Sequence, residues 1–300
     1  MLFSAKRGNL APEIFRASRG HLGGAASDDM RRIHIALVGL ALATAEPDTG
    51  RRRVLITGAS RGIGREIARK FAAAGHTCCL HYSSGKSAAE ETLASLSGDA
   101  PHCVVCADLS NPSAATKLVD DAVNQMGGLD IAVVNHGVYE ETPFDETDDE
   151  AWTESFDRVM RINLHAPAQI AHRAAKHMAS QGDNGGAIVF VSSRGAYRGE
   201  PLAPAYGASK AALNSLTGSL AQALGPHRIR VAGVAPGFIA TDMAKSVLDG
   251  PRGDEIRRQS SWARVGDPSE VAACVLFLAD EKASWCTGTI VDCNGASYLH

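Results

Sequence analysis

The 300-residue sequence predicts an α/β fold of three layers, with a central parallel sheet of about seven strands and helices on both faces. Three observations predict it. From residue 51 onward, short apolar runs alternate with longer segments of helical character, the rhythm of βα units that build a parallel sheet. Those runs are continuously apolar, as expected where helices bury both faces of a strand. A glycine-rich turn, Gly58-Ala-Ser-Arg-Gly62-Ile-Gly64, joins the first strand directly to the first helix. Open α/β sheets bind ligands at such junctions.

The elements follow in order. Residues 53–57 read as a first apolar strand and 63–74 as a helix. Gly75 closes that helix, because glycine tolerates the left-handed backbone of a helix end. A strand at 77–82, a helix at 87–96 and a strand at 102–106 come next. The helix at 112–126 opens with Pro112, whose missing N–H is no loss in a first turn. A strand at 131–134 precedes a mostly helical stretch at 152–180. A strand at 187–192, a helix at 205–224, a strand at 229–234, a helix at 268–278 and a last strand at 289–292 complete the series. No repeat beyond the βα rhythm and no long linker interrupts residues 51–300, so they read as one domain.

Residues 1–50 differ. The first thirty are rich in Arg, Gly, Ser and Ala without a hydrophobic period, and read as disordered or targeting sequence. Arg31-Arg32 then precedes an apolar run at 33–42 that ends Ala43-Thr44-Ala45. This resembles the parts of a secretory signal displaced from the terminus. The run is too short for stable membrane insertion. Three readings stand: an upstream extension from a mis-called start, with a cytoplasmic protein, an organelle-targeting leader, or, least favoured by its length, a membrane anchor.

The composition narrows the function. A 45% apolar content is ample for a core, and a net charge of −3 makes no basic face, so nucleic acid is not an expected partner. Seven cysteines are an odd number without disulfide-like spacing, which suits a reducing compartment. Cys103-Val-Val-Cys106 has the form of a redox pair, but it lies in an apparent strand, where positions three apart face opposite sides. Both are expected to be buried, reduced thiols. His165, His172 and His177 have poor spacing for one metal, and no metal site is expected. The acidic stretch 140–154 reads as a solvated loop and helix start, and Trp262 and Trp285 as core or interface anchors.

The glycine turn has the needs of a pyrophosphate built into it. Phosphate oxygens seek backbone N–H groups and the positive end of a helix dipole, and side chains would block their approach. Gly58, Ser60, Arg61, Gly62, Ile63 and Gly64 are therefore the expected cradle. An NAD-preferring site carries an acid about 20 residues beyond the glycines, to grip the ribose 2′-hydroxyl. Here the second strand ends His81-Tyr82-Ser83-Ser84, with no carboxylate before Glu90. Arg61 and Lys86 would instead welcome a 2′-phosphate, so NADP(H) is expected over NAD(H).

Tyr206 and Lys210 are four residues apart at the start of a helix, and so share a face. A nearby ammonium favours the phenolate and lowers a Tyr pKa from about 10. Tyr206 then exchanges a proton with a carbonyl oxygen while hydride moves. Ser193, just past a strand, is placed to hydrogen-bond the same oxygen. Asn163, in a helix, is expected to hold a relay water with its amide.

Taken together, these residues resemble the short-chain dehydrogenase/reductase family, over residues 51–300. The matching residues are the glycine turn, Asp108, Asn135-His-Gly137, Asn163, Ser193, Tyr206, Lys210 and Pro236-Gly237-Phe-Ile239-Ala-Thr241. The resemblance implies a Rossmann-like sheet of strand order 3-2-1-4-5-6-7. It implies that Asp108 contacts the adenine, that Lys210 holds the nicotinamide ribose, and that Ile239 and Thr241 lie near the nicotinamide amide. Residues 243–262 would form a mobile lid, and the family is usually tetrameric, so a homotetramer or homodimer is expected. The chain is most similar to 3-oxoacyl-[acyl-carrier-protein] reductases, which implies reduction of an acyl-thioester ketone with NADPH. Alternatives are an NAD(P)-dependent alcohol, sugar or steroid dehydrogenase and a dinucleotide-binding regulator without catalysis. One motif departs: where the family commonly has Asn-Asn-Ala-Gly, this chain has Val134-Asn135-His136-Gly137, and His136 is expected to be structural.

Overall fold

The computed structural model describes residues 50–182 and 185–300. The readings of residues 1–49 lie outside them. Seven strands make one sheet of order β3-β2-β1-β4-β5-β6-β7. They are β1 Arg53–Ile56, β2 Thr77–Tyr82, β3 Cys103–Cys106, β4 Ile131–Val134, β5 Gly186–Val191, β6 Ile229–Pro236 and β7 Ile290–Cys293. Every pairing is parallel, as predicted.

Successive residues of a strand face opposite sides, and the core divides accordingly. Leu55, Ala132, Ile188 and Phe190 face one layer, with α3 (Ala114–Met126), α5 (Ala166–Ser180) and α7 (Pro204–Leu224). Val54, Ile56, Val133 and Val189 face the other, with α1 (Gly62–Ala73) and α10 (Pro268–Ala279). This two-sided burial is why the strands read as unbroken apolar runs. Between β2 and β3 lies α2 (Lys86–Ala94).

Helix ends follow their capping residues. Gly75 (φ +86°) and Gly127 (φ +71°) take the left-handed backbone after α1 and α3, where an L side chain would be strained. Pro112 stands in the turn before α3 rather than in its first turn. The Asp267 carboxylate accepts from Ser269 N at 2.8 Å while Glu270 accepts from Asp267 N at 2.7 Å, so α10 starts on a reciprocal cap. The stretch predicted as one helix over 152–180 is α4 (Asp149–Met160), a π-helical turn Arg161–His165 and α5. Pro167 supplies no N–H to the carbonyl four residues back, which suits the wider turn at that point.

Two expectations are corrected. Cys106 is exposed, not buried, because β3 is an edge strand of the sheet. All seven cysteines are free thiols, as expected. Trp262 and Trp285 are 71% and 99% exposed, which removes the core reading and leaves the interface one. The segment expected as a lid, 243–262, takes in most of α8 (Asp242–Leu248) and all of α9 (Gly253–Arg258), and a short α6 (Gly195–Arg198) follows β5. Among the described residues no helix is long and apolar enough to cross a membrane.

Candidate active site

The site lies at the carboxyl ends of the strands. Thr57 follows β1, and the chain turns through Gly58 (φ +64°) and Gly62 (φ +56°) into α1. At Gly64 a Cβ would sit 2.2 Å from the Gly58 carbonyl oxygen, so only glycine lets the loop close over the helix start. The β4 end holds the loop from behind. Asn135 Nδ2 donates to Thr57 O (3.0 Å) and Gly58 O (3.2 Å), and Asn135 N donates to Thr57 Oγ1 (2.9 Å). His81 Nδ1 accepts from Gly58 N at 3.1 Å, and its other ring nitrogen donates to Ala107 O at 3.0 Å. These partners define a neutral tautomer, and burial lowers the His81 pKa. The loop is thus a preformed cradle whose residues suit a dinucleotide phosphate.

His136 lies on the cleft wall and is held there by two hydrogen bonds. The Thr57 hydroxyl donates to its Nδ1 at 2.8 Å, and its Nε2 donates to Ile162 O at 3.1 Å. Burial, with His81 and Lys210 nearby, pulls its pKa down to about 3. The imidazole is therefore neutral, and it ties the glycine loop to the turn that carries Asn163.

Asp108 accepts from Ser110 N (3.0 Å) and Ser110 Oγ (2.8 Å), which lowers its pKa and orients it on the cleft wall. Arg61 is exposed on the same cleft, but Lys86 is not in the wall and pairs with Glu90 at 3.7 Å. Of the two cations proposed for a 2′-phosphate, Arg61 alone is in place.

Tyr206 and Lys210 occupy the first turns of α7, with Ser193 facing them from the end of β5. The Ser193 hydroxyl faces the Tyr206 phenol, where it acts to lower its pKa, and accepts from Gly195 N at 3.0 Å. Lys210 Nζ lies 5.8 Å from the centre of the Tyr206 ring and donates to Val191 O at 2.9 Å. Burial lowers the Lys210 pKa to about 8. The expected lowering of the Tyr206 pKa is reversed in the protein alone: burial raises it, and the Ser193 hydroxyl opposes only part of that. A protonated phenol is therefore the resting form, suited to giving a proton.

Asn163 also departs from expectation. It is fully buried in the π-helical turn. Its Oδ1 accepts from Val138 N and its Nδ2 donates to Val138 O, both at 2.9 Å, with Ser209 Oγ at 3.3 Å from Nδ2. The amide is committed to fixing the backbone after β4, so it is not free to hold a relay water. At Gly137 a Cβ would lie 3.2 Å from Asn163 Oδ1 and 3.5 Å from Lys210 Nζ, and glycine leaves that approach to the lysine open.

The remaining site residues come from the loop after β6. Gly237 packs on Asn294, where a Cβ would meet Cα at 3.0 Å, and Ile239 bridges to Gly266. The Thr241 side chain stands across from Gly62. All the candidate residues except Asn163, Pro236 included, line one cleft of about 670 Å³. Three residues of this wall were not singled out from the sequence. His81 hides in an apolar strand. Tyr139, two residues past Gly137, stacks edge-on against Tyr206 at 5.1 Å, and burial raises its pKa to about 12. Arg194, next to Ser193, is 3% exposed. Adjacency to Gly137 and Ser193 was the available signal for the last two.

Residues 58–295 match a sequence family described as enoyl-(acyl carrier protein) reductase. The chain is 36% identical over 255 residues to a short-chain type dehydrogenase/reductase of Picea abies, covering 82% of this chain and 92% of that one. It is 36% identical over 246 residues to the 3-oxoacyl-[acyl-carrier-protein] reductase FabG of Aquifex aeolicus (strain VF5), covering 81% and 96%. A crystal structure of a short chain dehydrogenase from Burkholderia cenocepacia J2315 in complex with NADP is similar with a TM-score of 0.74, at 32% identity, covering 83% and 98%.

Proposed function

Since the chain belongs to the short-chain dehydrogenase/reductase family, an NAD(P)-dependent oxidoreductase family, we propose that it reduces a ketone to a secondary alcohol with NADPH. A 3-oxoacyl thioester is the first substrate class to test. The observation that carries this reading is the Ser193–Tyr206–Lys210 cluster beside the glycine cradle on one cleft. The cofactor, when bound, supplies hydride to the carbonyl carbon. Gly62 and Gly64 open the helix start so that its backbone N–H groups can meet the phosphates, and Gly58, its own N–H held by His81, turns the chain there, with Asp108 toward the adenine end and Ile239 and Thr241 toward the nicotinamide.

Ser193 donates a hydrogen bond to the carbonyl oxygen and orients it. Tyr206 gives its proton to that oxygen, and burial keeps the proton on the phenol until then. Lys210 stabilises the phenolate that forms, while Asn163 fixes the backbone beside the ammonium through Val138. A resting phenol favours the reductive direction. Arg61 and the lack of a carboxylate after β2 support NADPH over NADH. The Aquifex relative supports the thioester class.

The test follows NADPH and NADH oxidation by the full chain with an acetoacetyl thioester, beside Tyr206→Phe. NADPH-selective turnover that falls by at least about 100-fold in the variant is expected. Turnover unchanged in Tyr206→Phe would remove the tyrosine from the mechanism. Tight NADPH binding without thioester turnover would discard that substrate class.

A further inference from the structure

Arg194 is a buried cation that this mechanism does not use. It follows Ser193, and its backbone N–H, bonded to Pro236 O at 3.0 Å, anchors it at the end of the sheet. Its guanidinium makes one hydrogen bond, to Gln259 Oε1 at 2.6 Å, and lies 5.2 Å over the Phe238 ring. Among the described residues no carboxylate comes within ion-pair distance of it. Its other N–H groups are not among the sealed, unpartnered polar atoms, unlike Arg230 Nε, so they open onto the space beside them. A ring face and one amide oxygen compensate a buried guanidinium only in part.

That space is a second cavity of about 270 Å³ behind the loop after β6. It shares Arg194, Phe238, Ile239 and Gln259 with the main cleft, so the two adjoin. Two other charges on its wall are matched to each other. Arg264 holds Glu270 with two hydrogen bonds of 2.8 and 2.7 Å, and Asp292 faces His300 at 3.5 Å. On the main cleft, Glu200 pairs with Arg198 at 3.4 Å. Among the described residues, Arg194 is the buried cation of this wall that no ion pair matches. Ser297 Oγ, on the same wall, is buried without a hydrogen-bond partner. A planar guanidinium with free donors matches a carboxylate. A water occupies roughly 30 Å³ of liquid, so the cavity has room for a short arm that ends in one.

We propose that Arg194 and this cavity form a carboxylate subsite, so that the ketone reduced at Tyr206 carries a carboxylate on the arm that passes Phe238 and Gln259. The inference rests on the ketone-reductase reading above. The test compares oxo acids of increasing length, from 3-oxobutanoate to 6-oxoheptanoate, with their methyl esters, in the wild-type full chain, Arg194→Lys and Arg194→Met. The quantity read is the acid-to-ester ratio of kcat/KM. For at least one chain length wild type is expected to prefer the acid by tenfold or more. That ratio falls toward one in Arg194→Met and recovers in part in Arg194→Lys, and the loss appears in KM. A wild-type ratio near one at every length overturns the subsite and leaves the reductase standing, whether or not the variants fold. If wild type reduces none of these ketones, the reductase reading fails for them. Calorimetry on the NADPH complex then decides the subsite: binding of an acid, but not its ester, supports it, and binding of neither overturns it.

Discussion

Lys210 shows how the site trades stability for chemistry. Its ammonium is buried with one hydrogen bond, to Val191 O, and burial lowers its pKa from 10.5 to about 8. Between those values the unfolded chain binds more protons than the folded one. Stability from this group therefore rises with pH across that window and is lowest below pH 8. Lys210→Met should stabilise the protein without added cofactor at pH 7 by up to about 3 kcal/mol, read as a higher thermal midpoint. It should also flatten the rise above pH 8 and reduce turnover at least about 100-fold. A midpoint that falls at pH 7 would show that the ammonium stabilises this fold. His136 makes the opposite case: it is neutral and doubly bonded. His136→Ala restores the residue common in the family motif but removes the donor to Ile162 O and leaves the Thr57 hydroxyl only its longer bond to Val133 O at 3.4 Å. Chemical denaturation should show a loss of about 1–3 kcal/mol, and no loss would mean the cavity re-solvates freely. The placement of Tyr206 and Lys210 was legible because residues four apart share a helix face, and that of Ser193 because it follows the end of a strand. The roles of Asn163 and His136 were not, since both depend on hydrogen bonds made across the sheet end.

At the scale of elements, all seven strands were legible, because burial on both faces writes an apolar run that no amphipathic helix has. The helical stretch before β5 was legible only as helix. Its division into α4, a π-helical turn and α5 depends on where Asn163 must point, which periodicity does not encode. The glycine loop was legible as a cradle, and the structure adds which glycine is irreplaceable. A Cβ at Gly64 meets Gly58 O, a backbone atom with no freedom to retreat, whereas at Gly218 in α7 nothing lies within 4 Å. Gly64→Ala should weaken NADPH binding more than tenfold by calorimetry or prevent folding. Gly218→Ala should bind as wild type does, with stability unchanged or slightly higher. Wild-type affinity in Gly64→Ala would mean that the loop can reopen without loss, and the cradle would not be preformed. The lid was least legible: α8 and α9 are short, lie over the cleft mouth and carry few core positions, so their sequences answer to a ligand rather than to packing.

Across the whole molecule, the clearest residual signal is apolar surface. Trp285 in the turn after α10 is 99% exposed and Phe277 on α10 is 53% exposed. The neighbouring β7 is an edge strand of the sheet. Large exposed aromatics beside a strand edge mark an interaction surface, since contact with water there is unfavourable and an open edge invites pairing. A second copy of this chain is the occupant that the expected tetramer or dimer requires. Trp285 takes no part in the cleft, so its substitution separates assembly from chemistry. Light scattering at micromolar concentration should give a homotetramer or homodimer for the full chain, and Trp285→Glu should shift it to a smaller species, because burying a carboxylate in an apolar contact is strongly unfavourable. A wild-type monomer would remove the assembly altogether. An unchanged mass in Trp285→Glu would place the interface elsewhere, on the helices around Asn163 and Tyr206, where α4 carries the stacked Trp152 and Phe156 rings at 5.0 Å.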